Sequence, residues 1–563
     1  MIDIRSTRRN VLGRGAALGA MAALPQLAWS GPAQAKDTPD FVEVETAAGR
    51  LRGARVRGVS IFKGVPYAGS VSGAHRFRTA PPVSSWTGVR DALSLGPPSI
   101  QEPGQVYGEN EPAPAEDCLV LNVWTPETGG GRRPVMVYSH GGGFTTGSGG
   151  SVSQDGANLA REYDVVVVET NHRLGVMGYL YLRGLLGPEY DGNQGLSDLV
   201  TALDWVRVNI SAFGGDPHNV TIFGESGGGT KTACLYSMTE AKDLFHKAAI
   251  ESGVGPDPNP PEHATEIARQ VLARVGLAPG DARKLLEIPA SVLLKAQMGD
   301  ADPTLGPGTL PAPGQTRTGP PPLPFGPVID GVRLTEIPFS RGAPEISRNK
   351  PLIVGGCKEE TIFFNRLDPT VFNLDAAGLK AKLEPKLGPA TGRWIELFHR
   401  TRPEASPSDL YIAISTAMPW RATAIRAGGA KAAQGGAPAF MYIFSFESEM
   451  KIAGTNHRVG APHASDIAVT FDNAPPADAP PIANPGFFDD QSEARRQTAH
   501  NMSAMWTSFA RTGQPAAPGQ PAWRAYSLDR RATMLIDAQC RLVDDPEGEE
   551  RRFWEGQDVW ARL

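Results

Sequence analysis

The chain has 563 residues, with 55 Lys plus Arg against 60 Asp plus Glu, 40% apolar positions, 20% charged ones and only 7% aromatic ones. That length can bury a sizeable core, and a net charge of −5 with no long Lys/Arg stripe gives no electrostatic pull towards nucleic acid or an anionic membrane surface. Its 64 glycines and 50 prolines promise many turns and long loops, where sites usually sit.

Residues 1–35 read as an address and are set apart from the fold. Arg5, Arg8, Arg9 and Arg14 make a basic start, residues 7–12 resemble a twin-arginine export signal, and a modestly apolar stretch runs from 15 to 29. Ala33-Gln34-Ala35 supplies a small-x-small cleavage triplet, so the mature chain is expected to begin at Lys36 and to be exported, to the periplasm or beyond. The apolar stretch is too short and too rich in Gly and Ala to span a bilayer, and no other apolar run is long enough. Residues 36–563 then read as one domain.

Apolar runs alternate with helical patterns from residue 41 onward, without internal repeats. Those at 135–138, 165–168, 220–223 and 352–354, bounded by Gly, Pro or charged residues, predict buried strands. Between the second and third, Leu196, Leu199, Val200, Leu203, Val206 and Ile210 share one helical face. Strand, helix, strand implies an α/β fold with a mostly parallel sheet. Residues 302–327 hold nine prolines and five glycines, and a second rich patch covers 473–485; both read as irregular insertions, either loops at a rim or solvated linkers. The mixed charges at 547–552 read as a solvated face. Cys118, Cys234, Cys357 and Cys540 are widely spaced and contain no CxxC, which suggests neither a zinc site nor a dense disulfide framework. Cys234 falls in a predicted buried helix and Cys357 at the end of a predicted strand, so mostly free thiols are expected.

The densest chemistry is Gly224-Glu225-Ser226-Gly227-Gly228, directly after the strand at 220–223 and before a helix-compatible run at 230–237. A sharp strand-to-helix turn needs glycine two residues on either side of the serine, because side chains there collide with neighbouring backbone. GxSxG alone also fits a glycine-rich turn, but the flanking strand and helix supply the context that lifts Ser226 clear of a sheet. A serine hydroxyl needs a base, a group to orient that base and donors for the oxyanion. His140-Gly141-Gly142-Gly143-Phe144 follows the strand at 134–139 and can aim consecutive N–H groups at one small anion. The competing use, a phosphate cradle, lacks both GxxxxGK[ST] and GxGxxG.

These residues resemble the type B carboxylesterases of the α/β-hydrolase fold, which include cholinesterases and bacterial para-nitrobenzyl esterases. The resemblance is carried through nearly the whole mature chain by Phe62-Lys63-Gly64-Val65-Pro66-Tyr67-Ala68, Arg76-Phe77, the stretch 116–124, Asn171-His172-Arg173-Leu174-Gly175, Phe213-Gly214-Gly215-Asp216-Pro217 and 506–513. It implies Ser226 as nucleophile and the N–H groups of Gly142, Gly143 and Gly227 as oxyanion hole. The family orders its triad serine, acid, histidine. The strand at 352–354 leads into Gly355-Gly356-Cys357-Lys358-Glu359-Glu360-Thr361, which aligns Glu360 with the family's acid although its D-E-G has become E-E-T, leaving Glu359 as a competitor. Gly460-Ala461-Pro462-His463 matches the histidine loop, whereas His457 lacks the motif. Glu225, Ser252 and Asp466 match positions that surround the family's histidine and the entering water.

No cofactor is implied, and His457, His463 and Asp466 lack a recognised metal spacing. The family often joins the cysteine of the E-D-C-L motif to one upstream, but the corresponding stretch 98–101 holds none, so Cys118 is expected to lack that disulfide. Where cholinesterases carry a choline-binding tryptophan this chain has Gly108, which disfavours choline esters. The resemblance implies hydrolysis of a small-molecule carboxylic ester through an acyl-serine, with kcat/KM rising as His463 loses its proton and then levelling. Carbamate or amide cleavage and lipase action would use the same machinery, and an inactive binding relative would be expected to lack the serine or histidine.

Overall fold

The apolar runs form the middle of one large sheet. The computed structural model describes residues 40–102, 111–255, 257–299, 320–476, 478 and 487–555. The export signal expected at 1–35, Gly108 and most of both Pro-rich insertions lie outside the described residues. In chain order the strands are β1 (Asp40–Thr46), β2 (Gly49–Val56), β3 (Val59–Pro66), β4 (Val89–Asp91), β5 (Val120–Thr125), β6 (Arg133–Ser139), β7 (Val166–Thr170), β8 (Gly215–Glu225), β9 (Lys247–Glu251), β10 (Leu352–Cys357), β11 (Ala439–Phe444), β12 (Ser448–Lys451), β13 (Arg458–Gly460), β14 (Ala532–Ile536) and β15 (Arg541–Asp544). The sheet runs β1-β2-β3-β5-β7-β6-β8-β9-β10-β11-β14-β15, with β4 beside β2, while β12 and β13 form a separate hairpin. From β7 to β14 the pairing is parallel, and antiparallel pairs flank that block on both sides.

Side chains alternate between two cores. Val135, Val137, Val166, Val168 and Ile222 enter one; Met136, Tyr138, Val167 and Phe223 enter the other. The helix Gln194–Asn209 covers the first with Leu196, Leu199, Leu203 and Val206, and the helix Glu493–Thr512 covers the second with Met502, Met505, Trp506 and Phe509. Both faces of the central strands are therefore buried, which is why they read as unbroken apolar runs. A third core around Trp394, Phe398 and Ile412 lies among the helices that follow β10. The four cysteines are buried free thiols.

Two expectations are corrected. The helix after Ser226 begins at Gly227 and not at residue 230, taking in three glycines. Propensity argues against glycine in a helix, but close approach overrides it: a Cβ on Gly228 would lie 1.9 Å from the Ser139 carbonyl oxygen. The charges at 547–552 are not a solvated face. Glu550 and Arg551 of the helix Gly548–Glu555 are buried, Glu550 pairs with Arg402, and Glu547 lies 2.9 Å from the buried Arg421. Arg551 pairs with the nearby Asp545 and Glu555, but the partners of Glu547 and Glu550 come from segments far off in the chain, out of reach of a local sequence reading. Of the insertion at 302–327, the described end packs inward, with Leu323 and Phe325 buried and the Leu323 N–H on the Gln297 carbonyl at 2.9 Å. Asn473, at the start of the second patch, donates to the carbonyls of Ser153 and Asp155.

Candidate active site

Parallel strands put their carboxyl ends on one edge of the sheet, where loops and helix N-termini gather around a crevice. Register brings Ser139 opposite Gly224, and Glu225 opposite Glu251, which in turn faces Gly355. The loops that follow β6, β8, β9 and β10 carry Gly141-Gly142-Gly143, Ser226, Ser252 and Glu360 respectively.

Ser226 sits between β8 and the helix Gly227–Ser237 at φ 56° and ψ −123°, a strained conformation for a residue with a side chain. Its N–H donates to the Glu251 carbonyl at 2.9 Å, which ties the turn to the neighbouring strand. Every residue from 220 to 236 is buried except Ser226. The loop of residues 140–144 lies against this turn. Gly142, Gly143 and Phe144 all have positive φ, and a Cβ on Gly227 would come within 3.0 Å of the Gly143 nitrogen. The Gly142 carbonyl accepts from the Thr145 and Thr146 N–H groups, and the Phe144 carbonyl from the Gly175 N–H. Among the described residues, no protein acceptor takes the N–H groups of Gly142, Gly143 or Gly227. Three donors are thus left together beside the exposed face of the serine, at a helix N-terminus that favours negative charge.

His463 comes from the loop after β13. Its backbone N–H donates to the Glu360 carbonyl at 3.3 Å, while Glu359 N–H and Ala461 carbonyl, and Ala461 N–H and Glu359 carboxylate, clasp the two turns together at 2.9 Å. The imidazole Nδ1 is 2.6 Å from Glu360 Oε2. Glu360 has no solvent exposure, and its other oxygen accepts from the Ser252 hydroxyl and the Cys357 N–H, both at 2.7 Å. A carboxylate so satisfied stays in one orientation and holds the ring in one tautomer. Glu359, the alternative acid, is instead engaged by Arg458 at 3.3 Å and by Ala461. Thr361, where the resemblance led to an expectation of glycine, bonds Ser415 and Ile412 of the helix Pro407–Thr416. His457 is tied to Asp409 at 3.0 Å and to its neighbour's carbonyl. Among the described residues, no group of three His, Cys, Asp or Glu side chains is arranged to hold a metal.

Under the imidazole lies a cluster of carboxylates. Glu225 Oε1 is 3.3 Å from His463 Nε2 but is not aligned with it as a hydrogen bond. Asp466 accepts from the Tyr442 hydroxyl at 3.1 Å, and Glu251 from the Trp506 indole at 2.6 Å. Burial, then the mutual repulsion of Asp466, Glu360 and Glu251, holds the Glu225 carboxyl well above the usual range. Burial and then Asp466 do the same to Glu251, and burial and then Glu360 push Asp466 up to about 6.

Three features escaped the sequence. Glu251 adds a fourth buried acid beside Glu225, Glu360 and Asp466. Lys231, on the helix behind Ser226, is fully buried. The imidazole also has an aromatic surround: Trp420 at 4.6 Å between ring centres, Phe364 at 5.0 Å and Phe363 at 5.8 Å, with Phe488 stacked on Phe363 at 6.0 Å. All four of these aromatic side chains are half-buried. Phe363 and Phe364 follow Glu360 closely enough to have been noticed, whereas Trp420 arrives on a π-turn, Ala417–Arg421, that has no local signature.

The model of the carboxylesterase family matches residues 40–554. The para-nitrobenzyl esterase of Bacillus subtilis (strain 168) is 32% identical over 516 residues, covering 90% of this chain and 97% of its own length. The phenmedipham hydrolase of Pseudarthrobacter oxydans is 31% identical, covering 87% of this chain and 94% of its own. Among solved structures, a Geobacillus stearothermophilus carboxylesterase crystallised at pH 6.2 matches with a TM-score of 0.75 and 35% identity, covering 91% of this chain and 99% of that one.

Proposed function

Because the chain belongs to the carboxylesterase family and is a serine hydrolase of carboxylic esters, we propose that Ser226 is its nucleophile, His463 its base and acid, and Glu360 the group that orients the imidazole. The observation that carries this is the 2.6 Å contact between His463 Nδ1 and a fully buried Glu360, on the edge of the sheet where Ser226 alone of its stretch reaches solvent. His463 Nε2 takes the hydroxyl proton as Ser226 Oγ bonds to the ester carbonyl carbon, and the carbonyl oxygen becomes an oxyanion held by the N–H groups of Gly142, Gly143 and Gly227. The oxyanion collapses, the C–O bond to the alcohol breaks, and His463 hands its proton to the leaving oxygen. Water then repeats both steps on the acyl-serine and releases the acid. Ser252 and the Cys357 N–H hold Glu360 in place, and the Glu225 carboxyl, held well above the usual range by burial and its acidic neighbours, keeps surplus negative charge away from the imidazole.

The alcohol leaves from the imidazole side, and that side is walled by Trp420, Phe364, Phe363 and Phe488. Flat rings stack on such a wall for about 0.5–1.5 kcal/mol beyond the area they bury. We therefore assign the enzyme a preference for esters of aromatic alcohols, in line with the para-nitrobenzyl and phenmedipham substrates for which two relatives are named. Export by the twin-arginine route, with cleavage before Lys36, completes the proposal.

A panel of benzyl, phenyl and ethyl esters of one short acid, with Ser226→Ala in parallel, tests the reading. Turnover that favours the aromatic esters and vanishes in the alanine variant is the expected result. Turnover that survives Ser226→Ala overturns the nucleophile, and equal kcat/KM across the alcohols overturns the substrate class. N-terminal sequencing of the exported protein is expected to begin at Lys36, and a protein retaining its first residues in the cytoplasm overturns export.

A further inference from the structure

Lys231 lies on the second turn of the nucleophile's helix, five residues beyond Ser226, with no solvent exposure. Among the described residues no carboxylate pairs with it. Its Nζ donates to the His140 carbonyl at 3.0 Å and lies 5.5 Å from the centre of the Phe144 ring. Burial pushes the amine down to about 7. One carbonyl and one ring face replace only part of the hydration that such a group gives up, and an apolar side chain of similar length would fill the space without that loss.

What the amine touches is the loop that carries two of the three oxyanion donors. His140 and Phe144 are the two ends of the segment whose middle is Gly141-Gly142-Gly143, and Lys231 reaches both. No backbone N–H among the described residues takes the His140 carbonyl, so Lys231 is the donor on that group. The Gly142 and Phe144 carbonyls are held by N–H groups further along, and the His140 ring bonds the Gly141 carbonyl at 2.9 Å and stacks on His172, but none of these reaches the His140 carbonyl; beneath the loop the contacts are glycine against backbone, with Gly228 under the carbonyls of Ser139 and His140 and Gly227 under the Gly143 nitrogen. The glycine contacts limit how close the loop can come, and the other hydrogen bonds fix its later peptides, which leaves the His140 peptide to Lys231. The His140 peptide orientation sets where the following N–H groups point, and a displacement of a few tenths of an ångström matters for donors that must meet an oxyanion at 2.7–3.1 Å.

We propose that Lys231 is a positioning residue that holds the oxyanion loop in its donating orientation by fixing the His140 carbonyl. The role is separate from the triad, and it rests on the reading of Gly142, Gly143 and Gly227 as oxyanion donors. It predicts a defect confined to the charged, tetrahedral stage of the reaction, because the ground-state ester makes little use of those donors.

Lys231→Met and Lys231→Arg in the full-length enzyme provide the test, assayed on para-nitrophenyl butyrate and with a trifluoromethyl ketone whose serine adduct carries the oxyanion. Lys231→Met is expected to lower kcat by about 10- to 100-fold with KM within threefold, to weaken the ketone by the same factor, and to shift Tm by no more than a few degrees. Lys231→Arg, which keeps a donor within reach of the carbonyl, is expected to recover most of that loss. Unchanged kcat and ketone affinity in a folded methionine variant overturn the proposal, as does a kcat loss that tracks a fall in Tm and is not recovered by arginine. Should the methionine variant not fold, the arginine variant decides: kcat and ketone affinity near wild type support the role, and loss of either overturns it. Gly142→Ala separates the two layers. If it leaves kcat unchanged, the oxyanion reading fails and the role of Lys231 fails with it; if it is inactive while Lys231→Met is fully active, only the role of Lys231 fails.

Discussion

The nucleophile half of the site, residues 140–144 and 224–229, is made almost wholly of backbone, while the imidazole half, around 359–364, 420 and 460–464, is made of side chains drawn from distant segments. In the first half the spacing is set by what glycine lacks: a Cβ at 228 would sit 1.9 Å from the Ser139 oxygen, and one at 142 would sit 2.1 Å from the Thr146 oxygen. In the second, Glu360, His463, Trp420 and Phe364 meet through hydrogen bonds and ring contacts that other side chains can imitate. The contrast teaches where change is tolerated. Chemistry that needs N–H groups aimed at one point is locked to a few glycines, whereas the surface that meets the alcohol is free to vary around a fixed imidazole.

The largest effect is expected at the join between the halves. Ser226→Ala and His463→Ala should each lower kcat by at least about 10⁴-fold, and the double variant should be no worse than either single one, because the pair acts as a unit. Losses that multiply in the double variant would show the two halves to be independent. Glu360→Gln should lower kcat by about 10⁴-fold by favouring the wrong tautomer, while Glu359→Gln, at the competing acid, should leave kcat within about threefold. Steady-state kinetics on one para-nitrophenyl ester reads all of these.

A smaller effect sharpens the contrast. Trp420→Ala should lower kcat/KM for benzyl esters by about 3- to 10-fold more than for ethyl esters, as the ring contact is lost while Ser226 and its donors are untouched. A uniform fall for both alcohols would mean that Trp420 serves the imidazole and not the substrate. Smallest is the pH response of stability. With Asp466 pushed up to about 6 from 3.8, the folded protein holds a proton that the unfolded chain has already released between those values. The contribution of Asp466 to stability should therefore fall as pH rises from about 4 to about 6 and level off above, while Glu225 and Glu251, raised well above the usual range, extend the fall to higher pH. Denaturant melts across that range should show a shallower slope in Asp466→Asn, and an unchanged slope would place the titration elsewhere in the cluster.

The legibility of the two halves differs for the same physical reason. GxSxG and the glycine run at 141–143 announce themselves because backbone geometry leaves a local trace, and the strand runs around them do so because both faces of the sheet are covered. The contact of Glu360 with His463 was legible from its place after β10, although the flanking residues departed from the usual pattern; Thr361, at the position of the expected glycine, bonds to a helix some 50 residues on. Trp420, Glu251 and the pairing of Glu547 with Arg421 left no trace, since each depends on a partner that only the folded chain brings near. The helix start at Gly227 was missed because propensity spoke against it, and the packing that demands those glycines is tertiary.

The four enclosed sulfhydryls give the molecule a built-in gauge of its own opening. Cys118 lies just before β5, Cys234 on the nucleophile's helix, Cys357 at the end of the acid's strand and Cys540 between the last two strands, and all four are buried. A water-soluble disulfide reagent reaches them only as fast as each region breathes. The order in which they are labelled would therefore report which part of the sheet comes apart first, and no probe would have to be engineered in to see it.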